Sequence, residues 1–577
     1  MVRQACGLSR LLSRRHLLRA GAHGALLAGL GLAAACSKPP EDLSAEDLSA
    51  DDVPAGERTP GVLIRLGSDE VQSLDPHKVS TVEDVRVALE LFEGLVRYRA
   101  DGTPEPGLAE SWIVSDDGLL WTFTLREGLR FSDDAPLTAA DVVASFRRLM
   151  TPSTVAPNAN LFHAIQNAPA IAAGKAAPEQ LGVRALDART VEIRLTRPFP
   201  AFLELLAHAA AAVLPAHVLN THGDGWVKQR PLIGSGPFRL KAWRLHSVLR
   251  LERNPAYHDA ANVALAGVEY RPVQDDQTAL RLFRAKAADV LTDFPARDLP
   301  LLRRTVPDAI RIAPYRGTYY FAFNMRRPPF DDVRVRRALA MSVDREILVN
   351  KVIGLGQPIA WSVVPPHLAG YGPAVLPGYA RGPQEQRLAE ARRLLAEAGY
   401  GPDCPLEFTI RYNTDVEHRR VALALAQMWK PLGVVARIGN AEAAVHFAAL
   451  RTGDFTLARS GWIADYSGAE NFLSVYLSDA GPLNYPGYDE PQYDSQVREA
   501  LGLADPAARL DALRKAESLL VEDVPVLPLY HYVSKSLVGP DVEGWTDNLA
   551  NIHPSRTLRL KAAGSTAADM TAAEARP

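Results

Sequence analysis

The length of the chain is the feature that most restricts what it can fold into. A single hydrophobic core stops growing at about 250–300 residues, whereas this chain has 577 residues. We therefore expect two or three domains. The 43 prolines and 40 glycines are spread along the whole chain, which indicates many short strands, turns and loops.

The charge balance argues against one class of partner. The chain has 64 lysines and arginines against 67 aspartates and glutamates, which gives a formal net charge of −3. Proteins that bind nucleic acids carry a basic surface that neutralises phosphates. We therefore expect no nucleic-acid partner.

Residues 1–36 predict an export signal. The paired Arg14 and Arg15 precede an apolar run over 24–35. Such a run is too short to cross a bilayer core of ~30 Å as a helix, so it predicts a signal rather than an anchor. The paired arginines resemble a twin-arginine signal. A general secretory signal that happens to contain two arginines is the alternative.

The end of the signal resembles a bacterial lipobox. Small residues precede Cys36, the residue that would carry the lipid, although Ala33 stands where leucine is usual. Acidic and proline-containing sequence follows, which predicts a disordered tether over 37–60. We expect a lipoprotein anchored to the membrane through Cys36, with plain secretion as the alternative.

Local patterns predict several elements of secondary structure. Apolar residues over 62–66 indicate a strand, and helical spacing follows over 82–92. Apolar and polar residues alternate over 120–126, which indicates a half-buried strand. An amphipathic helix opens at 333–340, and we expect its arginines to be solvated or to cap the helix.

The stretch 455–466 combines a predicted strand with opposite charges. Phe455 and Leu457 alternate with smaller residues, which indicates a strand with one buried face. Gly461 permits a turn or the close approach of another backbone. Arg459 and Asp465 lie six residues apart on either side of that glycine.

Two interpretations of these charges are open. With Trp462 and Tyr466 as apolar walls, Arg459 and Asp465 could hold a small zwitterion between them. Alternatively, the two charges pair with each other or with neighbours, which is the common arrangement for charged residues near strands.

Catalytic and metal-binding motifs are not found in the sequence. We find no His-Glu-x-x-His, no Gly-x-Ser-x-Gly, no phosphate loop and no credible dinucleotide fingerprint. His217 and His222 are five residues apart, off a single helical face, so they do not suggest a zinc pair. We therefore expect no enzymatic activity, no cofactor and no metal.

Several segments, in order along the chain, resemble one protein family. They include SLDP at 73–76, LFEGLVRY at 91–98, PGLAESW at 106–112 and IGSGPF at 233–238. These segments resemble the extracytoplasmic solute-binding proteins of family 5, which include the oligopeptide, dipeptide and nickel binders of ABC importers. The resemblance continues to the end of the predicted globular part.

The resemblance implies an α/β fold of the type II periplasmic-binding-protein kind, with two lobes, a cleft between them and an extra domain. The implied segments are lobe I at 61–95, 217–316 and 534–562, the extra domain at 96–216, lobe II at 317–533 and a disordered tail at 563–577. The chain would pass from one lobe to the other near 316 and 534, and these two connections would form a hinge that closes the lobes over a ligand.

The stretches 412–419 and ARSGWIADY at 458–466 resemble the oligopeptide branch of the family. This resemblance implies that Asp465 binds the α-ammonium of a peptide through charge-assisted hydrogen bonds. It also implies that Arg459 and His418 face the C-terminal carboxylate of the peptide, directly or through water.

The resemblance further implies that the peptide is bound through its backbone. Gly461 and Ile463 would lend backbone groups, together with the strand 318–324 that contains Tyr319 and Tyr320, and Trp462 would also be a peptide-binding residue. An extended peptide presents the same N–H and C=O groups whatever its sequence, so strand addition binds many peptides. Hydrated pockets would then accommodate the side chains.

Four residues depart from the pattern of better-known oligopeptide binders. Gly317 and Ile463 stand where some relatives have a cysteine pair, so no cross-link joins these strands. Ala443 stands where a tryptophan lines a side-chain pocket, and Ile353 where a lysine can serve the carboxylates of longer peptides. The preferred peptide length and side chains therefore stay open.

The resemblance thus implies a periplasmic, monomeric substrate-binding lipoprotein of a peptide ABC importer, without catalytic activity. Its partners would be an oligopeptide, the permease and ATPase subunits of the transporter, and the membrane. The alternatives are a receptor for a dipeptide, a cell-wall or signalling peptide or a nickel chelate, and, less favoured, a peptidase.

Overall fold

The structure is a computed structural model that describes residues 58–368 and 370–561. The predicted export signal, the predicted lipid-attachment residue Cys36, most of the predicted tether and the predicted C-terminal tail lie outside the described residues. In the part that is described, no helix is both long enough and apolar enough to cross a membrane.

The described residues form eighteen strands and fifteen α-helices. The strands are β1 (Val62–Gly67), β2 (Val96–Tyr98), β3 (Pro104–Pro106), β4 (Ala109–Val114), β5 (Leu120–Leu125), β6 (Val183–Ala185), β7 (Thr190–Arg194), β8 (Phe238–Arg244), β9 (Val248–Arg253), β10 (Gly267–Pro272), β11 (Val290–Leu291), β12 (Ile310–Phe323), β13 (Leu406–Asn413), β14 (Val434–Ala441), β15 (Leu457–Ile463), β16 (Val526–Val538), β17 (Val542–Glu543) and β18 (Arg559–Leu560). The helices are α1 (Val82–Leu91), α2 (Ala139–Met150), α3 (Ala168–Ala172), α4 (Phe202–Leu206), α5 (Ala216–His222), α6 (Asp276–Arg284), α7 (Leu299–Thr305), α8 (Val333–Ser342), α9 (Arg345–Ile347), α10 (Gln384–Glu397), α11 (Val416–Trp429), α12 (Ala443–Thr452), α13 (Ala469–Leu473), α14 (Pro491–Gly502) and α15 (Pro506–Asp523).

The largest sheet has ten strands in the order β14-β13-β15-β12-β16-β11-β1-β10-β9-β8. Near its middle the long strands β12 and β16 run antiparallel, from the pair Ile310 and Leu537 to the pair Ala322 and Val526. Pairing is irregular between Pro314 and Thr318, close to the predicted crossing at 316. The division into lobes with the boundaries given above stays a prediction.

A second sheet has the order β4-β5-β7-β6. Trp121, Phe123 and Leu125 point from β5 into a buried apolar cluster, as the alternation over 120–126 predicts. Tyr466, which is distant in sequence, joins the same cluster. The cluster belongs to the segment predicted as the extra domain, so the stretch that follows β15 packs against it.

Two of the motif segments supply buried carboxylates that join distant parts of the chain. Asp75 of SLDP accepts hydrogen bonds from Arg148 of α2 at 2.6 Å and from the indole of Trp226 at 3.3 Å. Burial acts to raise the pKa of Asp75, but the hydrogen bonds and charge of Arg148 outweigh burial and lower it. Glu93 of LFEGLVRY accepts from His258 at 2.7 Å. These motifs are therefore structural.

The IGSGPF motif provides a close backbone approach, and it supports a stability prediction. A Cβ atom on Gly234 would overlap the carbonyl oxygen of Leu91 and lie 3.4 Å from the ring of Phe92. We expect Gly234→Ala to lower the free energy of unfolding by about 2 kcal/mol, because the backbone must shift to relieve the overlap. Chemical denaturation measures this difference.

Gly225→Ala is the matched control, because no atom lies within 4 Å of a Cβ atom built on Gly225. We expect its stability to stay close to that of the parent. Equal stabilities for the two variants would show that the contact between Gly234 and Leu91 is not tight.

Candidate functional site

Two cavities share Ile463 as a lining residue. Their volumes are about 510 Å³ and about 330 Å³, each within the usual range for small-molecule sites. The residues that line both cavities are Val82, Arg86, Tyr315, Ile463 and Asn551. Because they share this wall, the cavities form one cleft, which we call the binding cleft.

Helices and strands from distant parts of the chain line the binding cleft. Val82 begins α1 and is 52% exposed, and Ile463 ends β15 and is 45% exposed. The first cavity is also lined by the start of α11, including His418, and by Tyr532 of β16. The second cavity contains Asp465.

Asp465 lines the second cavity with a carboxylate that has few partners. Its carboxylate accepts a long hydrogen bond from the amide of Asn471, at 3.5 Å from Oδ2. Arg316 donates to the main-chain carbonyl of Asp465 at 2.9 Å, not to its carboxylate. Burial raises the pKa of Asp465. No ion pair to Asp465 is formed within the described ranges, so the carboxylate is available to a cationic ligand.

Arg459 does not line either cavity. Its guanidinium donates to the hydroxyl of Tyr532 at 2.9 Å and to the side-chain oxygen of Asn413 at 3.2 Å. It also lies 4.8 Å from the ring centroid of Tyr319. Arg459 and Asp465 do not pair with each other, so mutual pairing is excluded. In this structure Arg459 contacts the first cavity only through Tyr532, so the two charges do not enclose one site.

His418 lines the first cavity as a neutral ring. Its Nδ1 lies 3.4 Å from the carboxylate of Asp415 and 3.4 Å from the hydroxyl of Tyr319. Burial and the charge of Arg459 lower the pKa of His418 to about 3. In the ligand-free protein the ring of His418 is therefore uncharged, and it can act as a hydrogen-bond donor to a carboxylate.

The prediction that the strand 318–324 lends backbone groups to a peptide is wrong for this structure. Residues Thr318 to Ala322 of β12 pair with β15 on one edge and with β16 on the other. Because both edges are occupied, no ladder position remains for a ligand. Tyr319 and Tyr320 are 1% and 2% exposed and do not line the cavities.

Unlike β12, strand β15 has one edge that is only partly paired. It pairs with β13 only at Leu457 and Ala458, and the carbonyl of Arg459 is bonded to His446 at 2.8 Å. From Ser460 to Ile463 this edge is not paired with any strand in the residues described. The backbone at 460–463 can therefore accept an added strand, and the contribution of Gly461 and Ile463 to peptide binding stays a prediction.

Two residues of this part of β15, Gly461 and Trp462, pack closely against their neighbours. A Cβ atom on Gly461 would overlap the hydroxyl of Tyr532, so glycine is required for Tyr532 to reach Arg459. The indole of Trp462 donates to Asn471 at 2.7 Å. Asn471 thereby links the strand to Asp465.

Sequence reasoning missed four of the five residues shared by both cavities: Val82, Arg86, Tyr315 and Asn551. Val82 carries a detectable signal, because an apolar side chain at the first position of a capped helix is left exposed.

Other predicted positions lie as follows. Gly317 and Ile463 are direct partners across β12 and β15, and Ile353 is buried in the core.

Metal binding finds no support in the described part of the chain. No group of three or more histidine, cysteine, aspartate and glutamate side chains there could hold an ion.

Comparisons with known proteins agree with this geometry. Residues 103–484 match the family described as bacterial extracellular solute-binding proteins, family 5 Middle. The periplasmic oligopeptide-binding protein OppA of Salmonella typhimurium is 38% identical, over 86% of this chain and 92% of that protein. The periplasmic murein peptide-binding protein MppA of Escherichia coli is 36% identical, over 86% of this chain and 93% of that protein.

Solved structures of peptide-binding proteins are also similar to this chain. Haemophilus influenzae OppA in complex with RPPGFSPFR matches with a TM-score of 0.77 at 33% identity, covering 87% of this chain and 99% of that chain. The murein tripeptide binding protein MppA of Escherichia coli also has a TM-score of 0.77, at 36% identity, covering 86% and 98%. The predicted α/β periplasmic-binding-protein fold is confirmed.

Proposed function

The chain belongs to the bacterial extracellular solute-binding proteins of family 5, and on that premise we propose that it binds oligopeptides for an ABC importer. The observation that carries this proposal is the carboxylate of Asp465. It is largely buried in the second cavity, and no cation among the described residues pairs with it. A free peptide amino terminus supplies the missing cation.

The rest of the binding cleft suits an extended peptide. The unpaired edge at 460–463 offers backbone hydrogen bonds that ignore the peptide's sequence. From Asp465 the peptide would run past Ile463 into the larger cavity, where His418 is a donor for its carboxylate. A micromolar dissociation constant requires about 8 kcal/mol, which backbone bonds and one desolvated ion pair can supply after ordering costs.

A cell-wall peptide is the second candidate ligand, because MppA, a murein peptide-binding protein, is nearly as similar to this chain as OppA. Both candidates present an amino terminus to Asp465, so they differ in the groups that enter the larger cavity. We propose no catalytic activity for either ligand.

The cellular location and the partner subunits that we propose are based on similar proteins. OppA of Salmonella typhimurium is periplasmic, and we propose the same location for this chain, with attachment to the membrane through a lipid on Cys36. We also propose that it acts as a monomer and delivers its ligand to permease and ATPase subunits.

Native mass spectrometry of the purified protein tests the proposed function. We expect retained ligands whose masses and fragmentation identify them as peptides with free amino termini. Murein fragments would select the second candidate. A ligand that is not a peptide, or the absence of binding to a pool of free-amine peptides of mixed length, would overturn the proposal.

The raised pKa of Asp465 predicts how binding depends on pH. A bound ammonium lowers this pKa again, so affinity is complete above the pKa of the ligand-free carboxyl and falls as the pH drops through it. Because burial raises that pKa, the loss begins at a higher pH than for an ordinary aspartate, whose pKa is about 3.9.

Titration calorimetry from about pH 4 to about pH 7 measures this loss. In the ligand-free protein His418 is neutral over this range, since its pKa is about 3. We expect Asp465→Asn to bind weakly with an almost flat profile. A variant profile that falls as steeply as that of the parent would assign the titration to another group.

A further inference from the structure

One carboxylate of the predicted extra domain holds the loop that carries Asp465. Glu204 lies on α4, and its Oε2 accepts a hydrogen bond from the backbone N–H of Ser467 at 2.8 Å. The same oxygen accepts from the guanidinium of Arg316 at 3.1 Å. Arg316 comes from β12 and Ser467 from the segment after β15, so two distant segments meet at Glu204.

Arg316 connects this carboxylate to the binding residue itself. Its second terminal nitrogen donates to the main-chain carbonyl of Asp465 at 2.9 Å. The backbone carbonyl of Arg316 also accepts from the N–H of Ala464 at 2.8 Å. The side chain of Arg316 is 5% exposed and that of Glu204 is 20% exposed, so the pair is shielded from screening by water and salt.

An apolar contact supports the same attachment. The ring of Tyr466 meets that of Phe199 at 5.0 Å between centroids, at an angle of 76°. Tyr466 is 7% exposed and belongs to the apolar cluster of the predicted extra domain. The two residues that follow Asp465 are therefore bound to that domain, whereas β15 before it belongs to the main sheet.

We propose that Glu204 is a positioning residue for ligand retention, and the proposal rests on the proposed function. Glu204 fixes Ser467 and Arg316, which in turn hold the backbone at Asp465. The loop that carries Asp465 is thus attached to the predicted extra domain as long as these hydrogen bonds persist. A ligand leaves when this attachment opens, so Glu204 sets the rate of dissociation without touching the ligand.

Glu204→Gln in the full chain tests this role, because glutamine keeps the shape and removes the charge. We expect the dissociation rate of a free-amine peptide to rise about tenfold, which corresponds to about 1.4 kcal/mol, while the association rate changes little. The affinity ratio between free-amine and N-acetylated peptides stays as in the parent, because Asp465 still recognises the ammonium. Rapid-mixing fluorescence gives both rates.

Amide hydrogen exchange provides a readout that needs no ligand. We expect faster exchange in Glu204→Gln at Ser467, whose N–H donates to Glu204, with unchanged exchange in α2. Glu127→Gln is the matched control, since Glu127 lies in the same predicted domain, is 82% exposed and pairs with Arg189. It should change neither exchange nor dissociation.

The possible failures are distinguishable. If the parent binds no peptide, the proposed function fails. If the parent binds but Glu204→Gln leaves the dissociation rate unchanged, or leaves exchange at Ser467 unchanged, the positioning role is overturned. A change in the preference for free over acetylated amines would also overturn it, because Glu204 would then act on the ligand directly.

Discussion

Asp465→Ala should weaken the binding of free-amine peptides by about 3 kcal/mol or more, because it leaves a desolvated ammonium without its partner. The carboxylate lies in the second cavity, and its one side-chain hydrogen bond within residues 58–368 and 370–561 comes from the amide of Asn471, at 3.5 Å. N-acetylated peptides should also bind the parent poorly, because they have no ammonium group to pair with the carboxylate of Asp465. Titration calorimetry with one peptide in both forms measures the effect.

Asp454→Ala is the matched control for this experiment. Asp454 lies just before the same strand, and its side chain is 77% exposed, so its removal should leave affinity unchanged within error. The stability of Asp465→Ala should not fall, since burial raises the pKa of this carboxyl and so disfavours its charged form. Parent-like affinity in Asp465→Ala would exclude Asp465 as the anchor.

Arg336→Ala should lower the free energy of unfolding by about 3 kcal/mol, because it leaves buried carbonyl groups without donors. Arg336 is 3% exposed. It donates to the main-chain oxygens of Asp523 at 2.6 Å, Phe330 at 2.8 Å and Val524 at 3.1 Å. Burial lowers its pKa to about 10, so it stays charged at neutral pH and its hydrogen bonds are charge-assisted.

The neighbouring Arg337 on α8 gives the control. Its side chain is 37% exposed and reaches the carbonyl of Glu522, so Arg337→Ala should cost less than about 1 kcal/mol. Urea denaturation of both variants makes the comparison. Equal losses would show that the buried carbonyls near Arg336 find other donors.

Arg336 also shows where sequence reasoning fails. The pattern over 333–340 predicts an amphipathic helix with solvated or capping arginines, and the helix is found as Val333–Ser342. Arg334 is exposed and pairs with the capping Asp332, as predicted. Arg336 is neither solvated nor a helix cap, because it is buried against main-chain carbonyl groups that lie up to 188 residues away in the sequence. A local pattern contains no information about such partners.

Local elements are predicted well because their causes are local. The alternation over 120–126 corresponds to β5 at Leu120–Leu125, and the helical spacing over 82–92 to α1 at Val82–Leu91. The strand at 455–466 is also found, as Leu457–Ile463. Apolar periodicity follows directly from the geometry of each element.

The candidate site is predicted only in part, because a cleft is made by distant segments. The resemblance selects Asp465 and His418, which both line the cleft. It also assigns backbone contacts to the strand with Tyr319 and Tyr320, which the order of strands in the sheet rules out here. That order joins segments hundreds of residues apart, and no short sequence motif determines it.

A crystal structure of the protein with a bound free-amine peptide tests the assignment of Asp465 most directly. We predict the α-ammonium nitrogen at about 2.8 Å from a carboxylate oxygen of Asp465, with the peptide extending past Ile463 into the larger cavity. An ammonium bound elsewhere, with the carboxylate of Asp465 facing solvent or the interior of a domain, would contradict it.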